Sequence, residues 1–261
     1  GDWWYVENGR ITFHCNGLVR GLVNGNDTWW YVTGSKVNFC NTVASNAWGW
    51  WKITNGRVDF DFSGLAENAY GWWKITNGQV DFSYVGYEQS GSNWWYVYGG
   101  QVCFQATDVL PGTVGGQYGW WKVCEGKVNF DDDVCENAYG WWKITTGKVD
   151  FQYTGLAQNA CGWWMIQNGH VNFGSNGLVD NGNGWWLVRN GCVDFNYNGL
   201  VDNGNGWWLI RNGYVDFDYN GLVDNGNGWW LVKNGCVDFS YQGYVQNECG
   251  VWWVSNGQVQ F

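Results

Sequence analysis

The stretch Trp185–Tyr197, WWLVRNGCVDFNY, decides the fold of this chain. Asn190-Gly191 separates two apolar, β-branched segments, and this dipeptide favours a type I′ turn because both of its residues tolerate a positive φ. The stretch therefore predicts a β-hairpin with a two-residue turn. Neighbouring side chains in a strand point to opposite faces, so Trp185 and Trp186 are expected on different sides of the hairpin.

The two-residue turn predicts the register of the hairpin. Val188 is expected opposite Val193, and Trp186 opposite Phe195. These four side chains share one face, which we interpret as the core. Trp185 then lies on the other, more polar face.

Two further features belong to this interpretation. The connector Asn196–Gly206, NYNGLVDNGNG, is rich in Gly, Asn and Asp and is predicted to be a loop. The third and tenth positions of the motif are expected to face each other as opposite charges across the hairpin. The expected pairs are Lys52–Asp59, Lys74–Asp81 and Lys143–Asp150.

The same pattern recurs twelve times along the 261 residues. The copies begin at Trp3, Trp29, Trp50, Trp72, Trp94, Trp120, Trp141, Trp163, Trp185, Trp207, Trp229 and Val251, and each has a Phe ten residues later. One hairpin is marginal in water, whereas stacked hairpins bury a continuous core. We therefore expect an all-β fold, a β-solenoid of about twelve tandem hairpins of about 22 residues. Residues 1–261 are interpreted as one array, with an irregularity at 105–118.

Composition and charge exclude several classes of protein. The chain holds 25 Trp, 15 Tyr and 13 Phe, and its net charge is −10. The sequence has no basic cluster for phosphate, so nucleic acid is not an expected partner. It also has no apolar run of about 18 residues, so membrane insertion is not expected. The chain opens without Met or a signal peptide, and we expect a mature protein or a segment of a longer one.

No catalytic constellation is recognisable, so we do not expect an enzyme. The two histidines, His14 and His170, occupy non-equivalent positions in different repeats. The Asp at the tenth position of the motif recurs with the fold and is interpreted as structural. The VDNGNG loops that contain Asp180, Asp202 and Asp224 do not have calcium-binding spacing. No metal or cofactor is expected. The nine cysteines are an odd number, and Cys15–Cys40 and Cys124–Cys135 are candidate bridges whose pairing the sequence leaves open.

The motif W-W-x-[VI]-x-N-G-x-V-[DN]-F, followed by YxGLVxNxxGWW, resembles the clostridial WW-repeat modules of Gram-positive surface proteins. More distantly it is similar to the choline-binding and glucan-binding repeats. The resemblance covers the whole chain and implies a secreted or cell-surface protein. It also implies a non-catalytic binding role.

In choline-binding modules, aromatic rings of successive hairpins enclose a quaternary ammonium group through cation–π contacts. Carried over by position, this implies ligand contacts by the first Trp of each pair, together with the Tyr two residues after the Phe. The implied residues are Trp50, Trp72, Trp141, Trp163, Trp185, Trp207, Trp229, Tyr197 and Tyr219. Trp207 with Tyr197, and Trp229 with Tyr219, are the implied pairs. Stacking on sugar rings is an alternative use of the same tryptophans, and packing between hairpins is another.

Three functions remain open from the sequence. The first is attachment to a cell-wall polymer or glycan through aromatic grooves between hairpins. The second is binding of a host protein such as an immunoglobulin, as an adhesin. The third is a passive spacer that binds no ligand.

Overall fold

The computed structural model describes all 261 residues, and it contains strands and turns but no helix. The chain divides into two compact units, Gly1–Phe130 and Asp131–Phe261. The predicted β-solenoid of tandem hairpins is confirmed within each unit. The continuity of one array over 1–261 stays a prediction. None of the chain forms a helix that is long and apolar enough to cross a bilayer.

The first unit contains seventeen strands. They are β1 Val6–Glu7, β2 Arg10–Ile11, β3 Gly17–Val23, β4 Asn26–Thr33, β5 Lys36–Val37, β6 Thr42–Asn46, β7 Gly49–Thr54, β8 Arg57–Val58, β9 Gly64–Asn68, β10 Gly71–Thr76, β11 Gln79–Val80, β12 Gly86–Ser90, β13 Asn93–Tyr98, β14 Gln101–Val102, β15 Asp108–Val114, β16 Gln117–Cys124 and β17 Lys127–Val128.

The second unit contains eighteen strands. They are β18 Asp133–Asn137, β19 Gly140–Thr145, β20 Lys148–Val149, β21 Gly155–Asn159, β22 Gly162–Gln167, β23 His170–Val171, β24 Gly177–Asp180, β25 Trp185–Arg189, β26 Cys192–Val193, β27 Gly199–Asp202, β28 Trp207–Arg211, β29 Tyr214–Val215, β30 Gly221–Asp224, β31 Trp229–Lys233, β32 Cys236–Val237, β33 Gln242–Asn247, β34 Gly250–Ser255 and β35 Gln258–Val259.

The predicted turn and the pairing of Val188 with Val193 are confirmed in β25 and β26, whereas the predicted partner of Trp186, Phe195, is replaced by Tyr214 of the next repeat. Asn190 has φ of 49° and Gly191 has φ of 77°, as a type I′ turn requires. Val188 is the register partner of Val193, antiparallel. Glycine is needed at 191 for a second reason: a Cβ there would lie 2.5 Å from the carbonyl oxygen of Asn172 in the preceding repeat.

The connector is not only a loop, and that part of the prediction is wrong. Gly199–Asp202 forms β27, which pairs with β28 so that Leu200 faces Leu209 and Val201 faces Trp208. The Leu-Val couple supplies the third strand of this repeat because its backbone pairs with β28 while its side chains pack between hairpins. The tight loop is confined to residues 203–206.

Successive repeats are joined by backbone pairing. The short strand β29 pairs with the central strand β25 of the previous repeat at Trp186 and Tyr214. The Leu187 N–H donates to the Gly213 carbonyl at 2.8 Å. Each central strand is therefore flanked by strands on both edges.

Both faces of the central strand are buried, so the assignment of one polar face is wrong. Val188 is 0% exposed and packs with Trp186 against Trp163 of the preceding repeat. Leu187, on the other face, is 3% exposed and packs against Ile210 of the next repeat. Stacking buries both faces because each hairpin lies between two neighbours.

Phe195 is 40% exposed and does not lie in the core, contrary to the prediction. The strand ends at Val193, and the Asp194 carboxylate accepts a hydrogen bond from the Asn196 N–H at 3.1 Å. This local turn directs the ring outward, with its centroid 5.6 Å from that of Trp186.

The expected Lys–Asp pairs do not form, although the register behind them is right. The Asp59 N–H donates to the Lys52 carbonyl at 2.9 Å, but the Asp59 carboxylate accepts from the Thr54 hydroxyl at 2.9 Å. Asp150 likewise accepts from Thr145. The lysines instead turn into the space between repeats. Lys74 contacts Glu88, Lys143 contacts Asp132, and the Lys52 ammonium donates to Ile53.

Two copies, those that begin at Trp3 and Trp94, are followed by the next copy only after 26 residues, and the extra residues lengthen hairpins. Strands β3 and β4 pair over seven positions, as do β15 and β16, which occupy most of the irregular segment 105–118. The candidate disulfides are not formed, since Cys15, Cys40 and Cys124 are unbridged thiols.

Candidate functional site

The seven tryptophans implied by the resemblance are all half-buried, and each contacts the second Trp of the following repeat. The ring-centroid separations are 4.9 Å for Trp50–Trp73, 5.4 Å for Trp72–Trp95, 5.1 Å for Trp141–Trp164, 5.2 Å for Trp163–Trp186, 5.0 Å for Trp185–Trp208, 4.8 Å for Trp207–Trp230 and 5.5 Å for Trp229–Trp252. At these separations the indoles contact each other directly. Packing between hairpins is therefore their observed role, and ligand contact by these seven stays a prediction.

A phenylalanine adds a third ring to each of these pairs. Phe195 lies 6.2 Å from Trp163 and 5.6 Å from Trp186, edge-on to both. The same arrangement recurs with Phe239 beside Trp207 and Trp230. Three rings from two repeats thus form an aromatic corner, in which Phe195 and Phe239 are exposed to solvent and Phe217 is partly buried.

Tyr197 and Tyr219 have other partners. The Tyr197 hydroxyl donates to the Leu200 carbonyl at 3.1 Å, and the Arg189 guanidinium lies 4.3 Å from its ring centroid. Tyr197 packs in one cluster with Trp185, and Tyr219 in the next with Trp207. The implied pairs of Trp207 with Tyr197 and of Trp229 with Tyr219 are therefore displaced by one repeat.

An apolar space between the second and third repeats is open. The Trp48 cavity, as we name it, has a volume of about 300 Å³. Its lining is almost wholly apolar and consists of Trp29, Asn46, Trp48, Trp51, Val58 and Phe60. In this repeat the Trp29 ring packs edge-on against Trp48, with centroids 5.5 Å apart. Trp51 packs against Phe60 at 5.6 Å.

Hydrogen bonds fix the walls of the Trp48 cavity. The Asn46 side-chain oxygen accepts from the Trp51 indole N–H at 3.0 Å and from the Trp48 backbone N–H at 2.9 Å. Asn46 is the one polar side chain of the lining, and its oxygen is occupied. The cavity therefore offers aromatic faces and few hydrogen-bonding groups.

The sequence interpretation missed this cavity, although one signal pointed to it. The twelve Trp pairs, counting Trp252-Trp253, account for all but one of the 25 tryptophans. Trp48 is the remaining one. Tyr70 and Asn183 occupy the equivalent position in other repeats, and Trp48 is 68% exposed.

Hydrogen bonding of the second Trp separates two kinds of repeat. The Trp164 indole donates to Asn159 at 2.9 Å, and Trp73 donates to Asn68 in the same way. The indole nitrogens of Trp186, Trp208 and Trp230 are buried without a partner. These three follow the VDNGNG loops.

Burial perturbs the pKa of one lysine, Lys52, which lies 5.5 Å from the ring centroid of Phe62. Desolvation by burial lowers the pKa of the Lys52 ammonium, and the attraction of Asp59 and Glu67 only partly offsets it. The VDNGNG loops are closed by their own aspartates, since the Asp180 carboxylate accepts the Gly182 N–H at 2.8 Å.

Comparison with solved structures finds similarity at low sequence identity. Choline-binding protein F from Streptococcus pneumoniae is 15% identical, with a TM-score of 0.32 over 98% of this chain and 93% of that chain. The modular autolysin LytC from Streptococcus pneumoniae is 13% identical, with a TM-score of 0.33 over 90% of this chain and 52% of that chain. An alternansucrase in complex with isomaltononaose is 13% identical, with a TM-score of 0.28 over 95% of this chain and 19% of that chain. Comparison with curated protein sequences finds no match.

A family model described as a choline-binding repeat matches more than half of the chain. The matched segments are residues 1–12, 20–38, 61–81, 152–172, 174–194, 196–216 and 218–238. They include the Asn190-Gly191 turn and five of the seven tryptophans, Trp72, Trp163, Trp185, Trp207 and Trp229, whereas Trp50 and Trp141 lie outside them. The chain belongs to the choline-binding repeat family.

Proposed function

We propose that the chain is a non-catalytic binding module that attaches, outside the cell, to a cell-wall polymer or glycan. The observation that carries this proposal is the Trp48 cavity, where four aromatic rings from two repeats surround about 300 Å³. We propose that this cavity holds a quaternary ammonium group of the polymer.

The chemistry of the lining supports this ligand. Aromatic faces attract a cation through their quadrupole, and each ring contributes about 0.5–2 kcal/mol according to how far it is desolvated. A trimethylammonium group has neither a hydrogen-bond donor nor an acceptor, so it needs no hydrogen-bonding partner in the lining. A neutral sugar would need polar partners for its hydroxyls, and this lining supplies only Asn46.

The charge of the chain supports the same ligand. A net charge of −10 attracts cations and repels anions over distances of about a Debye length. The acidic surface and the aromatic lining thus favour the same type of ligand group.

The test is a titration of intrinsic tryptophan fluorescence with choline chloride. We expect a saturable change in the native chain, which tetramethylammonium reproduces and glucose does not. Trp48→Asn places at 48 the residue found at Asn183, so the fold is retained. We expect it to weaken choline binding at least about fivefold, because one ring face is lost.

The matched control is Tyr98→Asn, which removes another exposed aromatic residue outside the cavity. It should leave the choline titration unchanged. A response to pooled immunoglobulin without one to choline would favour the adhesin alternative. No change in tryptophan fluorescence with any of these ligands would favour the spacer.

A further inference from the structure

The third position of the motif, two residues after its first Trp, carries lysine in some repeats and leucine in others. Leu187 and Leu209 are buried there, at 3% and 3% exposure. Lys143, at the same position, is buried at 8% exposure. A charge in this environment is costly unless a counter-charge accompanies it.

Lys74 and Lys143 each have a carboxylate partner. The Lys74 ammonium lies 2.8 Å from Glu88, which follows it by fourteen residues. The Lys143 ammonium lies 3.7 Å from Asp132, which precedes it by eleven. The repeats thus use two alternative positions for the counter-charge.

Lys52 has neither partner. Ala66 takes the position of Glu88, and Asn41 takes the position of Asp132. The Lys52 ammonium donates to the Ile53 carbonyl at 2.9 Å and lies 5.5 Å from the Phe62 ring centroid. No carboxylate lies within ion-pair distance of it.

A cavity of about 340 Å³ lies beside Lys52. We name it the Lys52 cavity; its lining is Asn41, Lys52, Phe62, Leu65, Ala66, Glu67, Trp72 and Ser90. Both positions that carry the counter-charge in the other repeats therefore line it. Its size is at the lower end of small-molecule sites, about 300–1,000 Å³.

The Asn41 side chain adds a second hydrogen-bond donor to the Lys52 cavity, beside the Lys52 ammonium. Asp132 accepts the Thr146 N–H with Oδ1 at 2.7 Å and faces Lys143 with Oδ2. Asn41 Oδ1 accepts the equivalent Asn55 N–H at 2.8 Å. The amide nitrogen of Asn41 therefore takes the place of the oxygen that faces the lysine.

We propose that the Lys52 cavity binds a sugar that bears a carboxylate. The carboxylate lies between the Lys52 ammonium and the Asn41 amide, where other repeats have their own carboxylate. The sugar ring lies against the indole of Trp72, which offers an apolar face. Ser90 and Glu67 are available to its hydroxyls.

Glu67 limits the charge that the cavity accepts. Its exposed carboxylate lines the same space, so a dianion is repelled more than a monoanion. This favours a uronic acid over a sugar phosphate. The Lys52 cavity and the Trp48 cavity share no lining residue, so the two proposals fail or hold separately.

The experiment measures binding of glucuronate by ligand-observed NMR, with glucose and glucose 6-phosphate as comparison probes. We expect saturable binding of glucuronate that weakens with added NaCl, at least about tenfold weaker binding of glucose, and weaker binding of glucose 6-phosphate. Lys52→Met, which copies Met165, should weaken glucuronate binding at least about tenfold.

Three exchange variants sharpen the test. Asn41→Asp copies Asp132 and should abolish glucuronate binding by supplying an internal counter-charge. Asp132→Asn copies Asn41 and should create a second glucuronate site at Lys143. Glu67→Gln copies Gln158 and should strengthen binding several-fold. Equal binding of glucose and glucuronate, or glucuronate binding unchanged by Lys52→Met and Asn41→Asp, would overturn the proposal.

Discussion

Trp185 and Trp208 pack with their ring centroids 5.0 Å apart and their planes tilted by 56°. Trp185 is the first indole of one repeat, and Trp208 is the second indole of the next. The second Trp of each pair thus faces the preceding repeat, whereas the first faces the following one. Two adjacent tryptophans are used because a stacked hairpin has a neighbour on each face.

This contact predicts a large effect of truncating Trp185. We expect Trp185→Ala to lower the free energy of unfolding by about 3 kcal/mol, because loss of the indole leaves an empty space between two repeats. Trp48→Ala removes an equally large but 68% exposed ring and should cost less than about 1 kcal/mol. Urea denaturation followed by circular dichroism measures both. Equal losses would contradict the packing role of Trp185.

Glycine at the hairpin turn should matter more than glycine in the outer loop. Gly191 and Gly182 both have positive φ, at 77° and 84°. A Cβ at 191 would meet the Asn172 carbonyl, whereas a Cβ at 182 meets nothing within 4 Å. We expect Gly191→Ala to destabilise by about 2 kcal/mol more than Gly182→Ala. Thermal melts of the two variants provide the comparison, and similar melting temperatures would contradict it.

Asn159 and Asn181 occupy equivalent positions with unequal hydrogen bonding. Asn159 accepts from Trp164 and donates to the Val134 carbonyl at 2.9 Å. Asn181 accepts only the nearby Asn183 N–H, and Trp186 has no partner. We expect Asn159→Ala to cost about 2–3 kcal/mol, because it leaves a buried donor unpaired. Asn181→Ala should cost about 1 kcal/mol or less in the same denaturation assay. The reverse order would show that the Asn–Trp bond does not stabilise the repeat.

Asp238 predicts an acid-dependent contribution to stability. Hydrogen bonds from Lys233, at 2.8 Å, and from Ser240 lower the pKa of its carboxyl below the ordinary 3.8. A lowered folded-state pKa stabilises the fold above the ordinary value, and this stabilisation is lost as pH falls through the folded-state pKa. Unfolding midpoints measured from about pH 5 to about pH 2 should fall less in Asp238→Asn than in the native chain. Asp218→Asn, at an exposed position, is the control and should keep the native profile. An identical profile for Asp238→Asn would rule out this contribution.

The site was only partly predictable from the sequence. The repeats and their adjacent tryptophans predicted aromatic contacts between hairpins. This was possible because neighbouring side chains of a strand point to opposite faces, which is a local property. Whether the space between two hairpins is filled or left as a cavity depends on aromatic rings that meet across repeats. Trp29 and Trp48 are nineteen residues apart, and only their packing opens the Trp48 cavity.

The charged positions show the same limit. Lys52 and Asp59 do face each other along the backbone, as the turn length requires. Their side chains separate because Thr54 offers Asp59 a closer partner and the space between repeats admits the lysine. Whether a lysine then has a counter-charge depends on residues eleven before or fourteen after it.

The sequence by itself determined the all-β class, the hairpin turns, the register and the family, because each depends on residues within one repeat of about 22. Only the tertiary structure decided that both faces are core, that Phe195 is exposed, that Gly199–Asp202 is a strand, and where cavities remain. The physical reason is that burial of a hairpin face is a property of two stacked repeats. Side chains far apart in the sequence therefore decide which aromatic surface is filled and which is left open.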